Sequence, residues 1–327
     1  MEDSTLELTL RPNNWEEYVG QEQVKRSLRL IIDAAKQRGE SCDHLLFHGQ
    51  AGLGKTTIAY IVARTMGAHI KTTSGPALEK TGDIAAILTN IEPHEILFID
   101  EIHRLSKPVE EVLYPALDSR KLHLIVGKGP SARTLSIDLP PFTVIGATTR
   151  ASLLSSPLRS RFGGIFKLDY YKKEDIEKII KRSAKLLTID ITQGAVSRIA
   201  EASRFTPRVA NRLLKRCRDW AQVYKKPRID ENVAAETLTV LTIDNLGLEE
   251  TDRHLLETVI TKFGGGPVGI RSLAAALNEE VGTIEEVYEP YLLRTGLLQR
   301  TPGGRVATSL TYKHLQHKEP RNRSSFL

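Results

Sequence analysis

Gly49-Gln50-Ala51-Gly52-Leu53-Gly54-Lys55-Thr56 is the stretch that decides the fold. It fits the pattern G-x-x-x-x-G-K-[ST] and stands where that pattern has meaning, after an apolar strand, Leu45 to Phe47, and at the start of helical periodicity from about Lys55 to Met66. Gly52 and Gly54 let the backbone curl until its N–H groups point inward, and the N-terminus of the next helix adds partial positive charge at the same place. Such a loop cradles phosphates. Lys55 is placed to reach the β- and γ-phosphates of ATP and the Thr56 hydroxyl to ligate Mg²⁺, and Thr57 is a further candidate nucleotide-binding residue. A glycine-rich turn matching by chance is the bland alternative, and the strand-then-helix setting argues against it.

Outward from the loop, short apolar runs alternate with helical stretches. Before it, Val24, Leu28, Ile31 and Ala35 recur at helical spacing between Gln21 and Arg38, with Gly39 as a stop. His44 to His48, Ile96 to Ile99 and Phe142 to Ala147 read as strands, and Pro108 to Leu117 as a helix. The alternation predicts an α/β fold with a parallel sheet and helices on both faces. Between Leu122 and Leu139 the rhythm breaks: Leu122 to Val126 and Arg133 to Ile137 flank Gly127-Lys128-Gly129-Pro130 and predict an inserted hairpin over about 122–138.

From Asp169 to Leu241 the pattern is wholly helical, with helices over Lys172 to Leu187, Gln193 to Ala202 and Pro207 to Tyr224. Beyond Gly247, helices around Asp252 to Phe263, Arg271 to Leu277 and Ile284 to Arg294 precede two short strands, Leu297 to Arg300 and Arg305 to Thr308. Thr283 and Glu286 are spaced as a capping box for the last helix. Three helices closed by a hairpin predict a winged helix, a relative of the helix-turn-helix DNA readers. The expected domains are 1–168, a large nucleotide-binding domain; 169–245, a small helical lid; and 246–327, a winged helix with a basic tail that is unstructured after Lys318.

Composition narrows the class. Of 327 residues, 40% are hydrophobic and 26% charged, ordinary values that argue against wholesale disorder. The net charge of +6 favours polyanionic partners without requiring them. It is uneven: the charged side chains of Met1 to Leu10 are all acidic, and Lys313 to Arg323 is mostly basic. Cys42 and Cys217 lie far apart with no partner at metal-ligand spacing, which predicts two reduced thiols in a cytoplasmic protein. Neither a signal peptide nor a membrane-spanning run is expected.

The second half of a phosphate-transfer site is an apolar strand ending in acid. Ile96-Leu97-Phe98-Ile99-Asp100-Glu101 supplies it. Asp100 is placed to hold Mg²⁺ and Glu101 to polarise the attacking water, which separates a hydrolysing enzyme from a nucleotide-binding scaffold. His103, two residues on, reads equally as a partly exposed polar residue or as a coupling group. Thr143-Val144-Ile145-Gly146-Ala147-Thr148-Thr149-Arg150 is another buried strand ending in hydroxyls, and Ser156-Pro157-Leu158-Arg159-Ser160-Arg161-Phe162-Gly163 follows it.

These two segments resemble sensor 1 and the arginine-finger segment of the AAA+ ATPases. Leu10-Arg11-Pro12, Thr72-Thr73-Ser74-Gly75, Asp100-Glu101-Ile102-His103-Arg104, Leu139-Pro140-Pro141-Phe142 and Gly265-Gly266-Pro267-Val268-Gly269 extend the likeness. From about Leu10 to Thr308 the chain resembles the RuvB family of Holliday-junction branch-migration ATPases. The resemblance implies that Leu10, Arg11 and Tyr171 line the nucleotide pocket, that Thr149 senses the γ-phosphate, and that Arg208 in Thr206-Pro207-Arg208 is sensor 2. It implies that Arg161 is a finger reaching the ATP of a neighbouring subunit, with Arg159 as the fallback, in a homohexameric ring. The 122–138 hairpin would dock on RuvA, and RuvC would join in the resolving complex. Arg300 and Arg305 in the wing would contact double-stranded DNA.

Two departures stand out. The loop has Gln50-Ala51 where the family usually has two prolines, and the wing has Gly303 where an arginine is common. A clamp loader shares the core architecture but usually carries a Ser-Arg-Cys finger and no winged helix. A replication initiator lacks the 122–138 hairpin, and a non-catalytic DNA-binding scaffold has no use for Glu101 and Arg161.

Overall fold

The computed structural model describes residues 9–126 and 133–319. The expected turn Gly127 to Pro130, most of the acidic start and the tail from 320 lie outside these residues. The chain divides into two compact units, one formed by 1–179 with 206–208 and the other by 180–205 with 209–327.

The first unit contains, in order, α1 (Glu22–Arg38), β1 (Leu45–His48), α2 (Lys55–Met66), β2 (Ile70–Ser74), α3 (Thr81–Thr89), β3 (Ile96–Asp100), α4 (Lys107–Ser119), β4 (Lys121–Val126), β5 (Arg133–Asp138), β6 (Thr143–Thr148), α5 (Ser156–Arg159) and β7 (Gly164–Lys167). Five strands form one parallel sheet in the order β2-β3-β6-β1-β7, as the alternation of strands and helices predicts. The central strands are apolar because both faces are covered: all six residues of β6 and the first four of β3 are buried. Phe47 and Phe98 are among the largest fully buried side chains, each stabilising by roughly 1.5–3 kcal/mol relative to exposure.

Register sets the position of the site. His48 of β1 pairs with Thr148 of β6, and Ile99 of β3 with Gly146, so the carboxyl ends of three adjacent strands finish nearly level. In open α/β sheets this edge is where ligands bind.

Helix α1 buries Leu28, Ile32 and Ala35, so its apolar face passes through Ile32 rather than the expected Ile31. Gly39, at φ 67, closes it by donating to the Ala35 and Lys36 carbonyls. The inserted hairpin is a separate antiparallel pair, β4 with β5. Leu122 at its base joins the core formed with Val109, Leu113 and Leu139, and Leu135 on β5 is half exposed.

Helix α6 (Lys173–Leu186) runs from the first unit into the second, which continues with α7 (Gln193–Ala202), the body of α8 (Pro207–Val223) and α9 (Glu231–Val240). The C-terminal part holds α10 (Glu250–Phe263), α11 (Ile270–Leu277), a helical stretch from Val281 to Arg294, the hairpin β8 (Leu298–Thr301) with β9 (Gly304–Ala307), and α12 (Ser309–His314). Leu255, Leu256, Leu273, Leu292, Leu298 and Ala307 share its core.

Thr283 does not cap the third helix. The helix begins after Glu280, and Ile284–Tyr288 forms a π-turn. Pro290 explains the wider turn, because it has no N–H to donate backwards and its ring crowds the preceding carbonyl. Arg204 and Phe205 are consecutive left-handed residues in the second unit, at φ 52 and 55. Arg204 donates to the Gly247 carbonyl at 2.9 Å and to the fully buried carboxylate of Asp252, tying the α7 end to the start of the C-terminal helices. Among the described residues no helix is long and apolar enough to cross a membrane.

Candidate active site

The loop after β1 is held open by its glycines. Gly52 and Gly54 sit at φ 79 and 95, a region that side chains make costly. A Cβ on Gly54 would stand 3.0 Å from the Tyr18 hydroxyl. Lys55 opens α2, is only 7% exposed, and donates to the carbonyls of Gly49 at 2.8 Å and Gln50 at 3.0 Å. Burial pushes its ammonium pKa down, while Glu101 and then Asp100 push it up and Arg208 lowers it, so the amine lies in the field of both acids. Thr56 and Thr57 follow in the first turn of α2, half-buried. At the Gln50-Ala51 departure, Gln50 offers its backbone carbonyl to Lys55, and Ala51 is exposed.

The acids come from the end of β3. Asp100 accepts from the Glu101 N–H at 2.9 Å, and Glu101 adopts a left-handed φ of 48 that turns its carboxylate away from the strand direction. Thr149, at the end of β6, donates to Glu101 Oε2 at 3.2 Å. The structure therefore brings the expected sensor and the expected water-polarising acid into direct contact. His103 joins them through Thr148 Oγ1, 2.9 Å from its Nδ1.

Behind the loop lies a pair of buried tyrosines. The Tyr171 hydroxyl stands 3.1 Å from that of Tyr18 and 3.3 Å from the Leu53 carbonyl. Burial pushes Tyr171 up to about 12, and burial with the neighbouring Tyr171 raises Tyr18 well above the usual range, so both stay protonated hydrogen-bonding groups. Tyr171 thus holds the loop at Leu53. Tyr18 escaped the sequence reading, because a lone tyrosine before a helix carries no motif. Leu10 is buried, the Arg11 guanidinium lies 4.8 Å from the Tyr60 ring centroid, and Arg208 packs its Cβ 3.0 Å from the place a Gly52 side chain would occupy.

Arg161 is not with the loop. Its Nε and Nη2 reach Asp118 at 2.9 and 2.7 Å, Nη1 donates to the Pro157 carbonyl, and the guanidinium lies 4.4 Å from the Tyr114 ring centroid. Arg159 is exposed on α5. In the wing, Arg300 and Arg305 both turn to Glu289, which is wholly buried. The two-arginine DNA contact expected from the sequence meets a difference here. Arg305 is 8% exposed and also reaches Glu285 at 3.3 Å, whereas the Arg300 side chain is 53% exposed. Burial pushes the Glu289 carboxyl up, but hydrogen bonds from Arg300 and Arg305 overcome it and hold it below the usual range.

A glycine-rich loop with a buried lysine, two acids and a threonine gathered at the carboxyl edge of a β2-β3-β6-β1-β7 sheet makes a phosphate site, and the class it defines is the P-loop ATPase of the AAA+ kind. Family models for the "Holliday junction DNA helicase RuvB P-loop domain", the "RuvB AAA lid domain" and the "RuvB C-terminal winged helix domain" match residues 10–168, 171–244 and 245–316. The chain belongs to the RuvB family. It is 55% identical over 314 residues to the Holliday junction branch migration complex subunit RuvB of Dehalococcoides mccartyi (strain CBDB1), covering 96% of this chain and 90% of that one. Among solved structures, the Thermotoga maritima RuvB Holliday junction branch migration motor superposes with a TM-score of 0.88 at 50% identity, covering 95% of this chain and all of that one. An alanine-to-serine variant of the Thermotoga protein gives 0.89.

Proposed function

We propose that this chain is the ATP-driven subunit of a motor that moves Holliday junctions along duplex DNA, working as a homohexameric ring in the cytoplasm with RuvA, and with RuvC in the resolving complex. The observation that carries the reading is the contact of Thr149 with Glu101 beside a complete phosphate loop, because it links nucleotide sensing to water activation. A non-catalytic scaffold needs neither.

In this reading the γ-phosphate lies between Lys55 and Thr149, and Leu10, Arg11, Tyr171 and Arg208 bound the rest of the nucleotide. Glu101 accepts a proton from the attacking water as its oxygen bonds to the γ-phosphorus and the β–γ bridging oxygen leaves. Thr56 and Asp100 would hold Mg²⁺, a hard cation that takes a hydroxyl, a carboxylate, water and phosphate oxygens, and that neutralises phosphate charge when bound. Arg161 acts on the ATP of the next subunit, where an added cation raises the rate by roughly 10³–10⁵. The β4–β5 hairpin, with Leu135 exposed, is the RuvA-docking element. The three domains are 1–168, 169–245 and 246–327, and the last contacts duplex phosphates, Arg300 more than Arg305.

Glu101→Gln should bind ATP with affinity close to that of the parent chain and turn over at a level indistinguishable from background, measured as phosphate release with four-way junction and RuvA present. Undiminished turnover would remove Glu101 from the mechanism. A parallel assay on primer-template with a sliding clamp should show no stimulation; stimulation there, and none by the junction, would favour the clamp-loader reading.

A further inference from the structure

The sequence leaves His103 between two readings, and its surroundings separate them. The side chain is 7% exposed, and Nδ1 lies 2.9 Å from Thr148 Oγ1 and 3.2 Å from Glu101 Oε2. An ionised carboxylate can only accept, so the approach to Glu101 is attractive only when Nδ1 carries the hydrogen. Thr148 Oγ1 already receives the Arg150 N–H at 2.9 Å on one lone pair and has a second for the same imidazole hydrogen. Nδ1 thus stands between a fully buried hydroxyl at the end of β6 and the acid at the end of β3.

We propose that His103 is a positioning residue for Glu101, holding one carboxylate oxygen against the end of β6 so that the other is presented to the attacking water. Thr149 donates to Oε2, the same oxygen that faces His103. Two donors on one oxygen fix the carboxylate plane, which a single contact would leave free to swivel about the Cγ–Cδ bond. The left-handed backbone at Glu101 makes such support necessary, because the side chain departs from the strand at an angle the sheet does not dictate. His103 touches no phosphate in this scheme; it acts through Glu101. The inference rests on reading Glu101 as the water-orienting base.

The test is steady-state ATP hydrolysis by the full chain with Mg²⁺ and four-way junction DNA, together with ADP affinity and thermal unfolding. His103→Leu should lower kcat about ten- to a hundredfold while KM and ADP affinity stay within about twofold, the pattern of a misaimed catalytic group rather than a damaged binding site. His103→Asn keeps an N–H donor near the δ position and should recover kcat to within about threefold of the parent, whereas His103→Gln moves the donor one bond further and should not. Equal kcat for the Asn and Gln variants overturns the proposal, and this comparison decides the matter even if His103→Leu does not fold. Parent-like kcat in His103→Leu, with Glu101→Gln inactive, overturns it while sparing the role of Glu101. Full turnover in Glu101→Gln removes the base reading and the inference together.

Discussion

Arg300 and Arg305 carry the same charge on one short hairpin and meet the same glutamate, yet their burial gives them different work. Arg305, with a side chain 10% exposed, supplies two of the hydrogen bonds that satisfy buried Glu289. Removing it leaves that carboxylate with only the half-exposed Arg300, and breaking a buried pair in this way costs about 3 kcal/mol or more. Arg305→Ala should therefore shift the denaturant midpoint strongly. Arg300→Ala should cost less than Arg305→Ala, because its side chain is half exposed and Arg305 still holds both oxygens of Glu289. In return it should reduce the slope of log affinity against log salt for duplex DNA by about 1, the signature of one lost phosphate contact. Equal stability losses for the two variants would sink this division of labour. The pattern of residue types puts two arginines on one hairpin, but burial decides which of them stays half exposed while both hold the glutamate eleven and sixteen positions upstream.

At the scale of elements, α4 holds the proposed finger on a single edge. Glu110, Tyr114 and Asp118 follow one another at helical spacing: Glu110 accepts from the Tyr114 and Ser155 hydroxyls, Tyr114 stacks on Arg161, and Asp118 grips its Nε side. The Asp118 side chain is half exposed, so the contact is screened, and Asp118→Ala should lower junction-stimulated turnover only about two- to fivefold. Tyr114→Leu, which removes the stacking surface, should do similar harm without changing ATP affinity; no effect from either would show that α4 does not orient the finger. The elements themselves were legible in proportion to their burial. Strands β1, β3 and β6 announce themselves because an interior strand must be apolar throughout. The edge strands β2 and β7 went unread: Ile70-Lys71-Thr72-Thr73-Ser74 is half-buried and mixed, and Gly164-Ile165-Phe166-Lys167 is only four residues long. Ile32 instead of Ile31 in α1, and the π-turn before Pro290 where a capping box was expected, show tertiary packing and a missing N–H outweighing local pattern. In the site, the phosphate loop and the acid pair follow from spacing, while Tyr18 and the His103 link depend on contacts between segments far apart in the chain and have no local signature.

For the whole molecule, the question is whether one chain holds a complete catalytic unit. Everything gathered around Lys55 lies within the first compact unit, and so does Arg161, which is bound to α4. Mixing two inactive proteins tests this. Glu101→Gln subunits keep their finger and Arg161→Ala subunits keep their acid, so mixed rings should regain a fraction of parental turnover that neither variant shows alone. Absence of rescue in rings verified to contain both would place Arg161 in its own subunit's site. The level ends of β1, β3 and β6 carry one more consequence, for how such a chain can change over generations. Inserting or deleting a single residue within any of these strands would move its terminal lysine loop, acid or threonine about 3.3 Å out of line and turn alternate side chains to the wrong face. The strands are therefore closed to changes of length, and descent can add residues only to the connections between them.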